Sequence, residues 1–245
     1  MKTSEGFATV LLLSLLPLIL AAGLALFCTF GFLKSDLAVL NVCRAKELEV
    51  QNKVGRNLTK LLKLNARALS LRAEEARAEK ALASAIESGN PGAIAAAEAY
   101  LLSVKMRRQD LHIRQRALID TADAWLATGG AELPRELQRE WLQHHRGLSS
   151  WLESRFQTGR TGLAKLAVMP DFPEIAPAYL LRPDFTEAQA WKQNWSFRLA
   201  TTGWARRFLN FNGGFERSCT VSLYADGDDW IARLKKDKFS LKGSL

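Results

Sequence analysis

The sequence predicts an α+β protein: an N-terminal transmembrane helix continuing into a long α-helical hairpin, a third helix and a small C-terminal antiparallel sheet. Three observations carry this. Residues 7–33 contain no Asp, Glu, Lys, Arg or His. Residues 36–127 place apolar side chains at helical spacing with one interruption. After Trp191 the apolar period becomes two.

The first element follows from length. As a helix, residues 7–33 extend about 40 Å at about 1.5 Å per residue, against about 30 Å for a hydrocarbon core. A secretion signal has a shorter apolar core, about 7–15 residues, before a small-residue cleavage site. Ala21, Ala22 and Gly23 offer such a site, but the apolar run continues through Leu24, Ala25, Leu26 and Phe27. A retained anchor is therefore expected, with residues 1–6 as a short flank or leader. Pro17 within the span predicts a helix kink. Lys34, Arg44 and Lys46 follow the span and only Lys2 precedes it. By the positive-inside rule alone, that asymmetry places the C-terminal body in the cytoplasm.

Residues 34–130 read as the hairpin. Val50, Val54, Leu58, Leu61, Leu62 and Leu69 keep helical spacing, and Ser88-Gly89-Asn90-Pro91-Gly92 is a strong stop and turn. Ala97, Val104, Leu111, Leu118 and Trp125 then fall seven apart, with Leu101 and Ala122 alongside. Thr128-Gly129-Gly130 is expected to end this second arm. Residues 131–160 read as an amphipathic helix opened by Pro134, with Leu137, Trp141, Leu148, Trp151, Leu152 and Phe156 on one side. The prolines in 161–190 read as a connector. Residues 191–245 read as the sheet: Trp195, Phe197 and Leu199 alternate, as do Cys219, Val221 and Leu223, and Asp226-Gly227 is a hairpin turn.

Composition narrows the function classes. A net charge of +9 over 245 residues suits an acidic partner, yet the basic residues are spread along helices, as a solvated surface requires. Three cysteines are too few for a disulfide framework. Cys43 and Cys219 lie on one side of the span and pair where that side is oxidising; two free thiols are the alternative.

Little in the chain suggests catalysis. There is no phosphate-cradling glycine loop, nucleophile elbow or paired metal-ligand spacing, so no catalytic residue, cofactor or metal is expected. Asp226-Gly227-Asp228-Asp229 lacks calcium-loop spacing. His144 and His145 are adjacent and point about 100° apart on a helix, and His112 has no partner in sequence. Trp191, Trp195 and Trp204 with Arg198, Arg206 and Arg207 fit base stacking on paper, but they fit a sheet core equally, and no nucleic acid is expected.

The N-terminus also carries a resemblance. Gly6, then Val10-Leu11-Leu12-Leu13-Ser14-Leu15-Leu16-Pro17-Leu18-Ile19-Leu20, resembles the start of Tad-type pilus-assembly proteins of the TadE and TadG kind. These in turn resemble prepilins, in which a peptidase cuts after the glycine. The resemblance covers about 30 residues and implies processing between Gly6 and Phe7. Leu11 stands where pilin-like helices usually carry a Glu. It implies a membrane-anchored, pseudopilin-like or minor structural component of a Tad/Flp-type pilus or secretion assembly. Its partners would be the lipid bilayer and other pilus or secretion subunits. It also implies a single pass in the bacterial cytoplasmic membrane with a periplasmic body. The charge count favours the other reading, a membrane-tethered scaffold or adaptor with a basic cytoplasmic body.

Overall fold

The computed structural model describes residues 4–145, 152–162, 165–201, 212–235 and 239–243. Its first element, α1 (Ser4–Lys63), is one helix that runs through Pro17. From residue 35 onward α1 has a buried face. Asp36, Leu40, Cys43, Glu47, Gln51, Val54, Leu58 and Leu61 recur every three or four residues and are all buried, as one side of a helix should be. Nearer the N-terminus the same helix is bare: Leu12, Leu13, Leu18, Ile19 and Leu20 are each more than 60% exposed.

Among the described residues no helix is long and apolar enough to cross a membrane. This corrects the transmembrane helix expected over 7–33. It also corrects the single-pass placement in the bacterial cytoplasmic membrane and the membrane-anchored character drawn from it. A span needs about 20 consecutive apolar residues on one helix, and the described residues hold no such window.

Only Leu64 separates α1 from α2 (Asn65–Ser88). Gly89, at φ 66°, closes α2 in the left-handed conformation that glycine adopts without strain. Asn90 opens α3 (Pro91–His145), its Oδ1 accepting the Gly92 and Ala93 N–H groups at 3.0 and 3.4 Å. This satisfies donors that a helix start leaves unpaired, with Pro91 in the first turn where its missing N–H costs nothing. α2 and α3 form the antiparallel hairpin, and Ala68, Leu71 and Ala78 of α2 and Val104 and Leu111 of α3 are buried.

The third helix expected over 131–160 is not separate. α3 continues through Gly129, Gly130 and Pro134 to His145. Burial of Leu126, Leu133, Leu137 and Trp141 on one face outweighs the local signal to stop. The glycine serves packing instead: a Cβ on Gly129 would meet Trp191 Cη2 and Val50 Cγ2, each at 2.9 Å. Trp151 and residues 146–150 lie outside the described residues. Leu152 and Phe156, expected on that helix, belong to strand β1 (Leu152–Thr161).

The connector expected over 161–190 holds a small hairpin of β2 (Val168–Pro170) and β3 (Tyr179–Leu181), then a single turn, α4 (Phe185–Ala188). The main sheet adds β4 (Trp191–Thr201), β5 (Asn212–Asp226), β6 (Asp229–Leu234) and β7 (Phe239–Gly243) to β1. Its order is β1-β4-β5-β6, and β7 also pairs with β5. All pairings are antiparallel. Gly227, at φ 61°, makes the tight β5–β6 turn.

Register places side chains in rows across the inner face. Phe156, Phe197 and Phe215 form one row, Thr158, Trp195 and Arg217 the next, and Arg160, Gln193 and Cys219 the third. Both α1 and α3 pack on this face. Phe32 meets Phe197 edge-on at 4.9 Å, and Trp141 stacks on Phe197 at 4.2 Å and on Phe156 at 5.5 Å. Such aromatic pairs add about 0.5–1.5 kcal/mol each beyond the area they bury.

Candidate functional site

The feature that divides this molecule is the seam between α1 and the inner face of the sheet, with bare apolar helix beyond it. Three contacts in chain order define the seam. Asp36, 2% exposed, pairs with Arg217 of β5. Two turns on, Cys43 is joined by a disulfide to Cys219 of β5, with Cα atoms 6.5 Å apart. One turn further, Glu47 is fully buried, and its charge reaches Arg160 of β1.

The geometry follows from the two periodicities. Asp36, Cys43 and Glu47 share one side of α1 because they are spaced by seven and four. Arg217 and Cys219 share one face of β5 because they are two apart. Arg160 reaches the same place because it stands in the cross-strand row of Cys219. The Arg160 guanidinium lies over the Trp191 ring, 4.6 Å from its centroid.

Burial sets the electrostatics. It pushes the Asp36 carboxyl above its ordinary value, and the Arg217 charge opposes that rise. It likewise pulls Arg160 below the usual arginine value, with Glu47 pulling it back. Charges taken out of water are tolerated only when paired, so losing one partner costs about 3–5 kcal/mol. Further along α1, Gln51 donates to the Gln189 carbonyl at 3.0 Å, while Gln189 Oε1 accepts from the Ala167 N–H at 3.0 Å. Buried polar groups in this arrangement fix the angle and register of α1 on the body.

Among the described residues, Cys43, Glu47 and Cys219 bring metal-ligand atoms within 4.8 Å of one another. With the two sulfurs bonded to each other there is no thiolate to offer a metal. The cleft between α1 and α3 at Val50, Trp125 and Trp191 is about 120 Å³, short of the roughly 300 Å³ at which small-molecule pockets begin. The Lys46–Glu136 and Lys53–Glu49 pairs, at 3.2 and 2.7 Å, are among its lining.

The remaining candidate residues fall as follows. Gly6 and Phe7 are in the first turns of α1. His112 accepts the Ala176 N–H at Nδ1, 3.2 Å away, and His144 and His145 end α3. Asp226 and Asp229 flank the β5–β6 turn and pair with Arg233 and Lys63 at 3.6 and 3.7 Å. Trp191 and Trp195 are core residues, 2% and 1% exposed, which leaves no face for a base. Trp204, Arg206 and Arg207 lie outside the described residues. Sequence reasoning missed Asp36, Glu47, Arg160 and Arg217. The signal was present: acids at 36 and 47 fall on the same stripe as Leu40, Cys43 and Val54, and an acid on an apolar stripe requires a buried base.

Comparison with protein families, with curated proteins and with solved structures finds no match for this chain.

Proposed function

We propose that this chain is a non-catalytic, pilin-like structural subunit, a minor component of a Tad-type pilus or a related secretion assembly. The observation that carries this reading is the division of α1. One continuous helix is fixed to a folded body from Phe32 onward and presents exposed leucines and isoleucine over residues 12–20. An apolar helical surface of that kind is stable in water only when covered, and matching helices of neighbouring subunits cover it by ordinary ridge-and-groove packing. The body supplies rigidity and an outward surface. The prepilin-like order of Gly6, Phe7 and the apolar residues after them supports the same reading, with cleavage between Gly6 and Phe7.

Sedimentation of the full chain tests it. The wild-type chain should form species heavier than a dimer, and Leu13→Lys/Leu16→Lys should lose them while keeping the wild-type circular dichroism. A wild-type chain that sediments no heavier than a dimer overturns the reading. Mass spectrometry of the chain recovered from its native host tests processing: a mature start at Phe7 is expected, and an assembled chain starting at Met1 rules out cleavage.

A further inference from the structure

The hairpin carries a second exposed apolar surface that neither the seam nor the 12–20 run accounts for. On α3, Leu102, Met106 and Ile113 are 61%, 65% and 58% exposed. At about 100° per residue they lie within about 20° of the direction opposite Val104, which is fully buried. They are therefore not the edge of the hairpin core but a separate stripe on its far side. With Ala99 and Gln109, also exposed, the stripe runs 99, 102, 106, 109, 113. That alternation of three and four is the a/d seam of a coiled coil.

We propose that this face of α3 pairs with the same face of a second copy of this chain, the two helices running parallel. The charges beside the stripe select that partner and direction. With Ala99, Met106 and Ile113 as a positions, Lys105 is at g and Asp110 at e, both exposed. In a parallel pair each g residue faces the e residue five positions on in the other helix. Lys105 then meets the partner's Asp110, twice by symmetry, sharing a carboxylate whose Oδ2 pairs with Arg114 of its own helix at 2.8 Å. In an antiparallel pair over the same stripe g faces g. That sets Lys105 against the partner's Lys105, with Glu98 against the partner's His112, or sets Lys105 against the partner's His112, so that Lys105 meets no acid. Gln109 at d meets the partner's Gln109 in the parallel register, and a polar residue inside such a seam fixes register at some cost in stability. The stripe is about 21 Å long, so the pair is weak and concentration-dependent by itself. This inference does not rest on the pilus reading: it concerns the far end of the molecule and a different surface.

Cysteine cross-linking tests it on the full chain in mild detergent, with Cys28→Ser removing the third cysteine of the sequence. Leu102→Cys, Met106→Cys and Ile113→Cys should each give disulfide-linked dimers, about tenfold faster than Ala96→Cys on another face of α3. An antiparallel pair brings at most one of the three opposite itself, so cross-linking of a single position overturns the parallel arrangement. No position exceeding Ala96→Cys overturns the dimer. Within the Met106→Cys chain, Lys105→Glu should slow linking about threefold and Lys105→Glu/Asp110→Lys should restore it. Loss without restoration overturns the charge pairing. The Leu13→Lys/Leu16→Lys chain should cross-link as the parent does, which separates failure here from failure of the assembly reading.

Discussion

Asp171 sits where the loop between β2 and β3 meets α2. Arg72 holds it with Nη1 to Oδ2 at 2.8 Å and Nη2 to Oδ1 at 3.0 Å, and the Phe172 and Ala178 N–H groups also donate to Oδ1. The Arg72 hydrogen bonds, chiefly, hold its carboxyl below the ordinary 3.8. Asp36, also beside an arginine, is raised because burial outweighs its partner. The two therefore act on stability with opposite sign. Asp171 binds fewer protons folded than unfolded, so its contribution is full above 3.8 and is lost as pH falls through the lowered folded value. Asp36 binds more protons folded, so its contribution is full below 3.8 and is lost as pH rises through the raised value. In urea unfolding from about pH 3 to about pH 6, the deficit of Asp171→Asn against wild type should widen with pH. That of Asp36→Asn should narrow. Equal slopes for the two variants would contradict the assignment. Arg72→Ala should cost about 2 kcal/mol at neutral pH, as loss of a charge-assisted hydrogen-bonded pair.

At the scale of elements, α1 lies close against the sheet at Gly55, where a Cβ would collide with the Trp230 carbonyl of β6 and approach Leu223 Cδ2 at 3.1 Å. The obstacle is backbone and cannot rotate away. Gly55→Ala should therefore destabilise by about 1–3 kcal/mol through forced separation of α1 from β6. An unchanged thermal midpoint would show that the two elements separate freely there. Nothing in the sequence marks Gly55 as a contact, because a glycine inside a helical run has the same local meaning wherever it packs. Other elements were legible for the opposite reason. Ser88 to Gly92 act locally, through an αL glycine and an asparagine cap, so the α2–α3 turn could be read directly. Gly129 and Gly130 carry the same local signal but lie between Leu126 and Leu133, whose burial keeps α3 helical. Strand β1 was hidden by arithmetic: Leu152 and Phe156 are four apart, which is one face of a helix and also one face of a strand. The Cys43–Cys219 link was legible only as one option, since pairing depends on a fold that sets 43 and 219 opposite each other.

Taken whole, the molecule is a long helix whose second half is clamped to a sheet completed near the far end of the chain. The disulfide spans a sequence separation of 176 residues and both cysteines are fully buried. In the chain-entropy account, a loop of that length removes about 5 kcal/mol of freedom from the unfolded state, while losing a native disulfide typically costs 2–5 kcal/mol. Cys43→Ala/Cys219→Ala removes the bond without burying a hydroxyl beside Glu47. It should lower the thermal midpoint by about 10 °C at about 2–4 °C per kcal/mol, with the native circular dichroism retained in the cold. Because no solvent reaches the sulfurs, a reductant should leave the native wild-type chain intact and act only once urea has begun to open the seam. The reduced wild type should then unfold at the midpoint of the double variant. A double variant as stable as wild type would mean that aromatic burial and the Asp36–Arg217 pair hold α1 unaided, with the unfolded chain already compact enough that closing the loop costs little. If the drop is seen, the covalent link is a main part of what holds α1 to the sheet. The proposed packing of its exposed residues 12–20 on neighbouring subunits then rests on a helix fixed to its body.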